Sequence, residues 1–338
     1  MKQETIATTF STAEKIILIN EVSFIGDSII FFWPLVNAFT EQFQEKEIIV
    51  YHTHKSIFKP ISLAVVNEDL SLFYEDYTEK YKALIFAFYK SDGNLKNYLK
   101  SNKIPSLVKG MVGMDFTTLN LPGLFFERKH YDNEYLDNIE IKYSFKNKEV
   151  DSSSGFPLLG EKFTNVYEYS NVCNETFFGF KNMSGAVEQN IIMSASSNLD
   201  MTNLFLSRFP SENRNFILIN LICGTFKKDV EENFFSLVQW IQKTADDCRK
   251  ENLDIYLLSD NKFPHLKSDI ETSSDNLFFV KEESVPLWTR LMKEAINVYS
   301  IDTGFLHIAH VLNKNTFGFG GDVDFWFFKD KRIDFNEY

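Results

Sequence analysis

The stretch Ile296-Asn-Val-Tyr-Ser-Ile-Asp-Thr-Gly-Phe-Leu-His-Ile-Ala-His-Val-Leu312 decides the fold. Its apolar beginning, closing at Ser300, reads as a buried strand. Asp302-Thr303-Gly304 reads as a turn, after which Phe305, Leu306, Ile308, Ala309 and Leu312 recur at helical spacing. A strand, a tight turn and a helix start therefore follow one another directly. Such a junction aims unbonded backbone N–H groups and the positive end of a helix dipole at one point, which suits a phosphate. Gly304 lets backbone approach a ligand, while Asp302 and Thr303 can either cap the helix or hold a ribose or phosphate. His307, one turn into the helix on the side of Gly304, can face that ligand or be a buried, hydrogen-bonded histidine.

The same rhythm extends in both directions. Upstream, Phe216–Leu221, Ile255–Leu258 and Leu277–Val280 read as strands, with helices over Glu231–Arg249 and Pro286–Glu294. Thr316–Phe319 closes that sheet. In the first half, Ile16–Ile19, Ile48–Tyr51 and Leu84–Phe88 read as strands, and Leu107-Val108 before Gly110 as a further one. A helix begins at Asp27, with Pro34 kinking it or lying in its first turns. Alternating strands and helices imply parallel sheets covered on both faces, so the expectation is α/β with two successive doubly wound domains. The turn-rich Val150–Pro157 is the best break between them.

Composition agrees. A chain of 338 residues is comfortable for two domains, and 44% apolar content supplies their cores. Gly (14) and Pro (8) are scarce, which favours regular structure over a loop-rich β fold. No apolar run approaches the roughly 20 residues of a membrane-spanning helix, and Met1–Ser11 has no signal-peptide pattern. Cys173, Cys223 and Cys248 lack metal or redox spacing and fit a reducing cytoplasm as unpaired thiols. A net charge of −12 argues against a nucleic-acid partner. Residues 1–150 hold 17 basic and 20 acidic side chains against 18 and 27 in 151–338, so a modest positive patch is open to the first half alone.

Three further constellations carry chemistry. Ser23-Phe-Ile-Gly26-Asp27-Ser28 joins a strand to a helix: Gly26 permits a sharp turn, and Asp27 lies where ligands of open α/β sheets bind. There Asp27 can be a general base or simply an N-cap. In Asn220-Leu-Ile-Cys-Gly-Thr225-Phe-Lys227-Lys228, Gly224 and Thr225 can bend toward phosphate and Lys227 or Lys228 can neutralise it, unless the lysines are a solvated pair at a loop tip. Gly113-Met-Asp115-Phe, followed by Leu124-Phe-Phe-Glu-Arg128-Lys129-His130, offers a basic cluster for an anionic acceptor or an ordinary basic helix end.

Taken in order, these elements resemble the bacterial heptosyltransferases of glycosyltransferase family nine, which have the GT-B fold, and most closely the lipopolysaccharide heptosyltransferase I branch. The resemblance spans roughly residues 14–322 and rests on Ser23-Phe-Ile-Gly-Asp27 with Pro34, Gly113-Met-Asp-Phe, Phe125–His130, Lys227 before Glu231-Glu-Asn-Phe, Ser300–Ala309 and Phe319-Gly-Gly321. It implies two Rossmann-like domains facing across a cleft: residues 1–170 for the acceptor, with the tail 323–338 packing back on them, and residues 171–322 for the nucleotide sugar. It implies inverting, metal-independent transfer of a sugar from ADP-heptose to a hydroxyl of a glycan or lipopolysaccharide-core-like acceptor, with no cofactor beyond the co-substrate. Asp27 would be the base. Thr225, Lys227, Asp302, Thr303, Gly304 and His307 would shape the diphosphate site, with Asp260 at the ribose or base. Gly26, Asp115, Arg128, Lys129 and His130 would face the acceptor. A lipid-linked acceptor would bring this cytoplasmic protein to the inner membrane at its periphery.

The chain departs from the family in its loops: Asp229-Val230 stands for the usual Trp-Pro, and Gly320-Gly-Asp-Val-Asp-Phe-Trp326 for the usual donor loop. Lys55-Ser-Ile-Phe-Lys-Pro-Ile, with no Arg, stands where an arginine-rich acceptor segment is expected. Another nucleotide sugar, a protein or peptide acceptor, and a non-catalytic binding descendant therefore remain open.

Overall fold

The computed structural model describes residues 15–21, 24–53, 65–76, 83–89, 94, 111–115, 123–127, 143–145, 148–150, 215–222, 231–259, 269–270, 275–281, 285–320, 331 and 333. The chain divides into two compact units, Met1–Asn190 and Ile191–Tyr338.

In the first unit a six-stranded sheet has the order β3-β2-β1-β4-β5-β6. Its strands are β1 (Lys15–Asn20), β2 (Glu47–His52), β3 (Val65–Asp69), β4 (Ala83–Tyr89), β5 (Met111–Asp115) and β6 (Gly123–Glu127). β1 is central, pairing in parallel with β2 and β4, and is buried from Ile16 to Asn20. A strand covered on both faces must be apolar on both, which is why Ile-Ile-Leu-Ile runs without alternation. The sheet is not wholly parallel: β6 returns antiparallel to β5 at the edge. β3, with the sequence Val-Val-Asn-Glu-Asp, carries too little apolar pattern to be read from sequence. Leu107-Val108 lies outside the described residues. A short antiparallel pair follows, β7 (Tyr143–Phe145) and β8 (Lys148–Val150).

The segment after β1 is helical throughout but not uniformly so. A single turn, α1 (Ile25–Asp27), runs into a π-helical turn at Ser28–Phe32 and then into α2 (Trp33–Gln42). The Trp33 amide reaches back to the carbonyl of Ser28, five residues earlier. Pro34, at the start of α2, has no N–H to give, and its ring crowds the carbonyl four residues before it. Widening the preceding turn by one residue relieves that conflict without breaking the helix. Every residue from Trp33 to Phe39 is buried. α3 (Leu70–Asp76) follows β3, with the Asp69 carboxylate accepting the Ser71 amide at 2.9 Å.

The second unit holds a wholly parallel five-stranded sheet of order β11-β10-β9-β12-β13. Its strands are β9 (Phe216–Asn220), β10 (Asp254–Leu258), β11 (Leu277–Val280), β12 (Asn297–Ile301) and β13 (Asn315–Phe319). α4 (Phe234–Lys250) buries Leu237, Val238, Ile241, Ala245 and Cys248, one helical stripe, against Ile217, Ile219, Ile255 and Leu257. Asn252 (φ 58) and Asn313 (φ 55) take the left-handed conformation just beyond α4 and α6 (Gly304–Val311), where asparagine is the tolerated substitute for glycine. α5 (Val285–Glu294) precedes β12, and its Trp288 meets Phe305 of α6 edge to face at 6.0 Å. Of the tail 323–338, the described residues lie on this unit: the Ile333 amide donates to the Gly318 carbonyl at 2.8 Å, and Lys331 Nζ reaches Asn315 Oδ1 at 3.1 Å. No helix among the described residues is long and apolar enough to cross a membrane.

Candidate functional site

In each sheet the strand order reverses direction beside the first strand, between β1 and β4 and between β9 and β12. Helices there leave toward opposite faces, and the carboxyl ends of the two strands open a crevice, the usual ligand position of open α/β sheets. The second unit lines this point with polar side chains.

Asn220 ends β9 and pairs in register with Ser300 of β12. Both are fully buried. Asn220 Nδ2 donates to Ser300 Oγ at 3.0 Å and, more weakly, to Thr303 Oγ1 at 3.4 Å, while its Oδ1 accepts the Ile222 amide at 3.2 Å. Ser300 Oγ donates to the Ile301 carbonyl at 2.8 Å. Thr303, extended at φ −151 and ψ 171, is the N-cap of α6, but its hydroxyl caps no amide. Leu306 N closes the first turn on the Thr303 carbonyl at 2.9 Å. Among the described residues no backbone carbonyl takes the Gly304 and Phe305 amides, and the Thr303 hydroxyl caps neither. The crest of this sheet therefore presents N–H groups, a hydroxyl and the positive end of a helix, the combination that holds an anion.

Asp302 and His307 lie beneath this crest, each about 4% exposed, with Oδ1 and Nε2 3.9 Å apart. That separation is too long for a hydrogen bond. Burial, aided by the neighbouring His310, pushes His307 down to about 3, so the imidazole is neutral near pH 7. His307 thus brings no positive charge to the turn.

In the first unit the corresponding strand end is again an asparagine. Asn20 Nδ2 donates to Ser28 Oγ at 2.8 Å, and Ser28 Oγ donates to the Phe24 carbonyl at 3.0 Å. Asp27 is half-buried in the first turn of α1, in helical conformation at φ −61 and ψ −37. It is not an N-cap: Phe24 holds that position, 54% exposed and without a side-chain cap. A carboxylate in the first helical turn is favoured by the dipole and stays close to solvent. Gly26 makes no sharp turn; it lies within α1, and the positive-φ glycine among the described residues is Gly320. Asp115 is the last residue of β5. Arg128, Lys129, His130, Thr225, Lys227 and Asp260 lie outside the described residues.

Asn20 and Asn220 are site residues to which the sequence motifs assign no role of their own. Their signal was present: each closes an Ile-Leu-Ile run, in Ile-Ile-Leu-Ile-Asn20 and Phe-Ile-Leu-Ile-Asn220. A polar side chain that ends a fully buried strand needs a partner at the sheet's crest.

No protein-family model matches this sequence, and no curated protein matches it. Solved structures do. A glycosyl transferase family 9 protein from Veillonella parvula DSM 2008 superposes with a TM-score of 0.60 at 10% identity, covering 95% of this chain and 85% of that one. The ADP-heptose lipopolysaccharide heptosyltransferase II of E. coli gives 0.52 at 13% identity, covering 92% and 86%. At these identities the likeness is one of fold, and it is to GT-B glycosyltransferases, the group the sequence motifs resemble.

Proposed function

We propose that this protein is a glycosyltransferase of heptosyltransferase type, moving a sugar from a nucleotide-linked donor to a hydroxyl of a glycan or lipopolysaccharide-core-like acceptor. The observation that carries this reading is the anion-accepting crest of the second sheet, where Thr303, Gly304 and the start of α6 meet Asn220 and Ser300 at the switch point. A donor's diphosphate is the leaving group, and stabilising it requires fixed donors and positive charge. Thr303 and Gly304 supply donors, Lys227 supplies charge, and Thr225 contributes a hydroxyl. Asp302 and His307 hold the turn from below, and Asp260 meets the ribose or base. ADP-heptose is the favoured donor, since the fold neighbour from E. coli is named for it.

The reaction is a single inverting displacement. Asp27 takes the proton of the acceptor hydroxyl as its oxygen bonds the anomeric carbon, and the bond to the diphosphate breaks with its electron pair leaving on phosphate oxygen. No metal is assigned to this step. Gly26, Asp115, Arg128, Lys129 and His130 serve the acceptor side. Such chemistry belongs in the cytoplasm, reaching the inner membrane peripherally if the acceptor is lipid-linked.

The test is a thermal-shift and calorimetric screen against ADP, UDP, GDP and CDP, followed by transfer assays with ADP-heptose. ADP should stabilise the protein, Lys227→Ala should lose that response, and Asp27→Asn should bind donor yet lose turnover by roughly 100-fold or more. No nucleotide response would overturn the reading. Donor binding with no transfer or hydrolysis by the wild type would move it to a non-catalytic binding protein.

A further inference from the structure

The proposed diphosphate site contains a residue that no ligand can touch. Asn220 is fully buried, and both N–H groups of its side-chain amide are committed, to Ser300 and Thr303, while its oxygen accepts the Ile222 amide. Because a backbone N–H can only donate, the Ile222 contact fixes the amide's oxygen on that side and its nitrogen on the other.

That orientation propagates. Ser300 spends its single proton on the Ile301 carbonyl at 2.8 Å, so it can only accept from its other neighbours. Thr303 Oγ1 thus sits among Asn220 Nδ2 at 3.4 Å, which can only donate, and Ser300 Oγ at 3.5 Å, which can only accept over a long and weak separation. With an N–H arriving from behind, the Thr303 hydroxyl directs its own proton to the strongest acceptor in reach. An anionic oxygen at the start of α6 is that acceptor. The same logic stands in the first sheet, where buried Asn20 donates to Ser28 and Ser28 passes its proton to the Phe24 carbonyl.

We propose that Asn220 is a positioning residue which sets the polarity of the Thr303 hydroxyl, making it a hydrogen-bond donor toward a phosphate oxygen. This rests on the diphosphate-site reading above. An inward-facing acceptor in place of the amide nitrogen would turn the Thr303 proton away from the ligand.

Asn220→Asp, which keeps the shape and replaces the donor by an acceptor, tests it in a double-mutant cycle with Thr303→Val, reading ADP affinity by calorimetry. Thr303→Val alone should weaken ADP by roughly ten-fold, the size of one hydrogen bond to a charged group. Asn220→Asp also adds a negative charge, and that direct repulsion acts in both backgrounds. The polarity effect acts only through the hydroxyl, so Asn220→Asp should cost roughly ten-fold more in the wild-type background than in Thr303→Val, and Thr303→Ser should restore the excess. Should Asn220→Asp fail to fold, Asn220→Ala takes its place in the cycle: it removes the N–H that holds the Thr303 proton outward but adds no acceptor, so an excess loss of the same sign but smaller than about ten-fold is expected. ADP binding with equal losses in the two backgrounds would overturn the role of Asn220 and leave the site standing. No ADP binding by the wild type would overturn the site itself and this role with it.

Discussion

Acid should unfold the second unit unusually early, through two histidines of α6. His307 is 4% exposed and pushed down to about 3; His310, one turn on, is pushed down by burial to about 4. In the unfolded chain both titrate near 6.5. The folded state therefore binds fewer protons than the unfolded state between those values. Stability is full above about pH 6.5 and falls as pH drops toward 4. At pH 5 each histidine lies about 1.5 pH units below its unfolded value, and at 1.36 kcal/mol per unit the loss is about 2 kcal/mol each, or about 4 kcal/mol together. Against a domain stability of about 5–15 kcal/mol, that is a large fraction. Urea denaturation followed by circular dichroism at pH 7.5 and 5.0 measures it, comparing wild type with the His307→Gln/His310→Gln double variant. Each protein is compared with itself at two pH values, so the variant's own starting stability drops out. The wild type should lose about 4 kcal/mol more than the variant over this interval, and His310→Gln alone should remove about half of the excess. Equal losses in wild type and double variant, or an NMR titration placing His307 near 6.5, would refute the reasoning.

Two further outcomes follow from packing. Trp240 is 4% exposed, with Tyr299 and Phe319 rings at 5.2 and 5.7 Å, so Trp240→Ala should cost about 3–5 kcal/mol in equilibrium denaturation through the cavity it leaves between α4 and its sheet. The Cys248 thiol is 7% exposed and pushed up to about 11 by burial, helped by Glu251 and Asp247; iodoacetamide at pH 8 should leave it unmodified in the native protein and alkylate it only after denaturation, as peptide mass spectrometry would report.

What was legible in the sequence was whatever both faces of a sheet demand. Ile16–Ile19, Phe216–Leu221 and Ile255–Leu258 could be read as strands because burial on two sides removes every polar alternative. The Asp302–Gly304 turn was legible too, since a polar triplet between an apolar run and a helical stripe leaves little else to be. β3 escaped notice because an edge strand, solvated along one side, tolerates Asn-Glu-Asp. The antiparallel return of β6 escaped because direction is a property of pairing, and no residue in Gly-Leu-Phe-Phe-Glu encodes it. At the site, Asp302, Thr303 and Gly304 were visible as exceptions within an apolar pattern. Asn220 too breaks an apolar run, but its role is not legible there, because its partner Ser300 sits eighty positions away and becomes a neighbour only when β9 and β12 pair.

The π-helical turn at Ser28–Phe32 has a consequence that is geometric rather than energetic. One residue of an α-helix advances the side chains by about 100° around the axis. Wound as plain α-helix, one residue more would therefore turn Asp27 about 100° away from its place relative to the buried Trp33–Phe39; the π-helical turn takes that residue into a wider ring instead, so both keep their bearings. Returning Ser28–Phe32 to α-helical bonding at the same length would swing the first turn about that far and set the Pro34 ring against the carbonyl four residues before it. The winding of this short segment, more than its composition, fixes where the carboxylate looks.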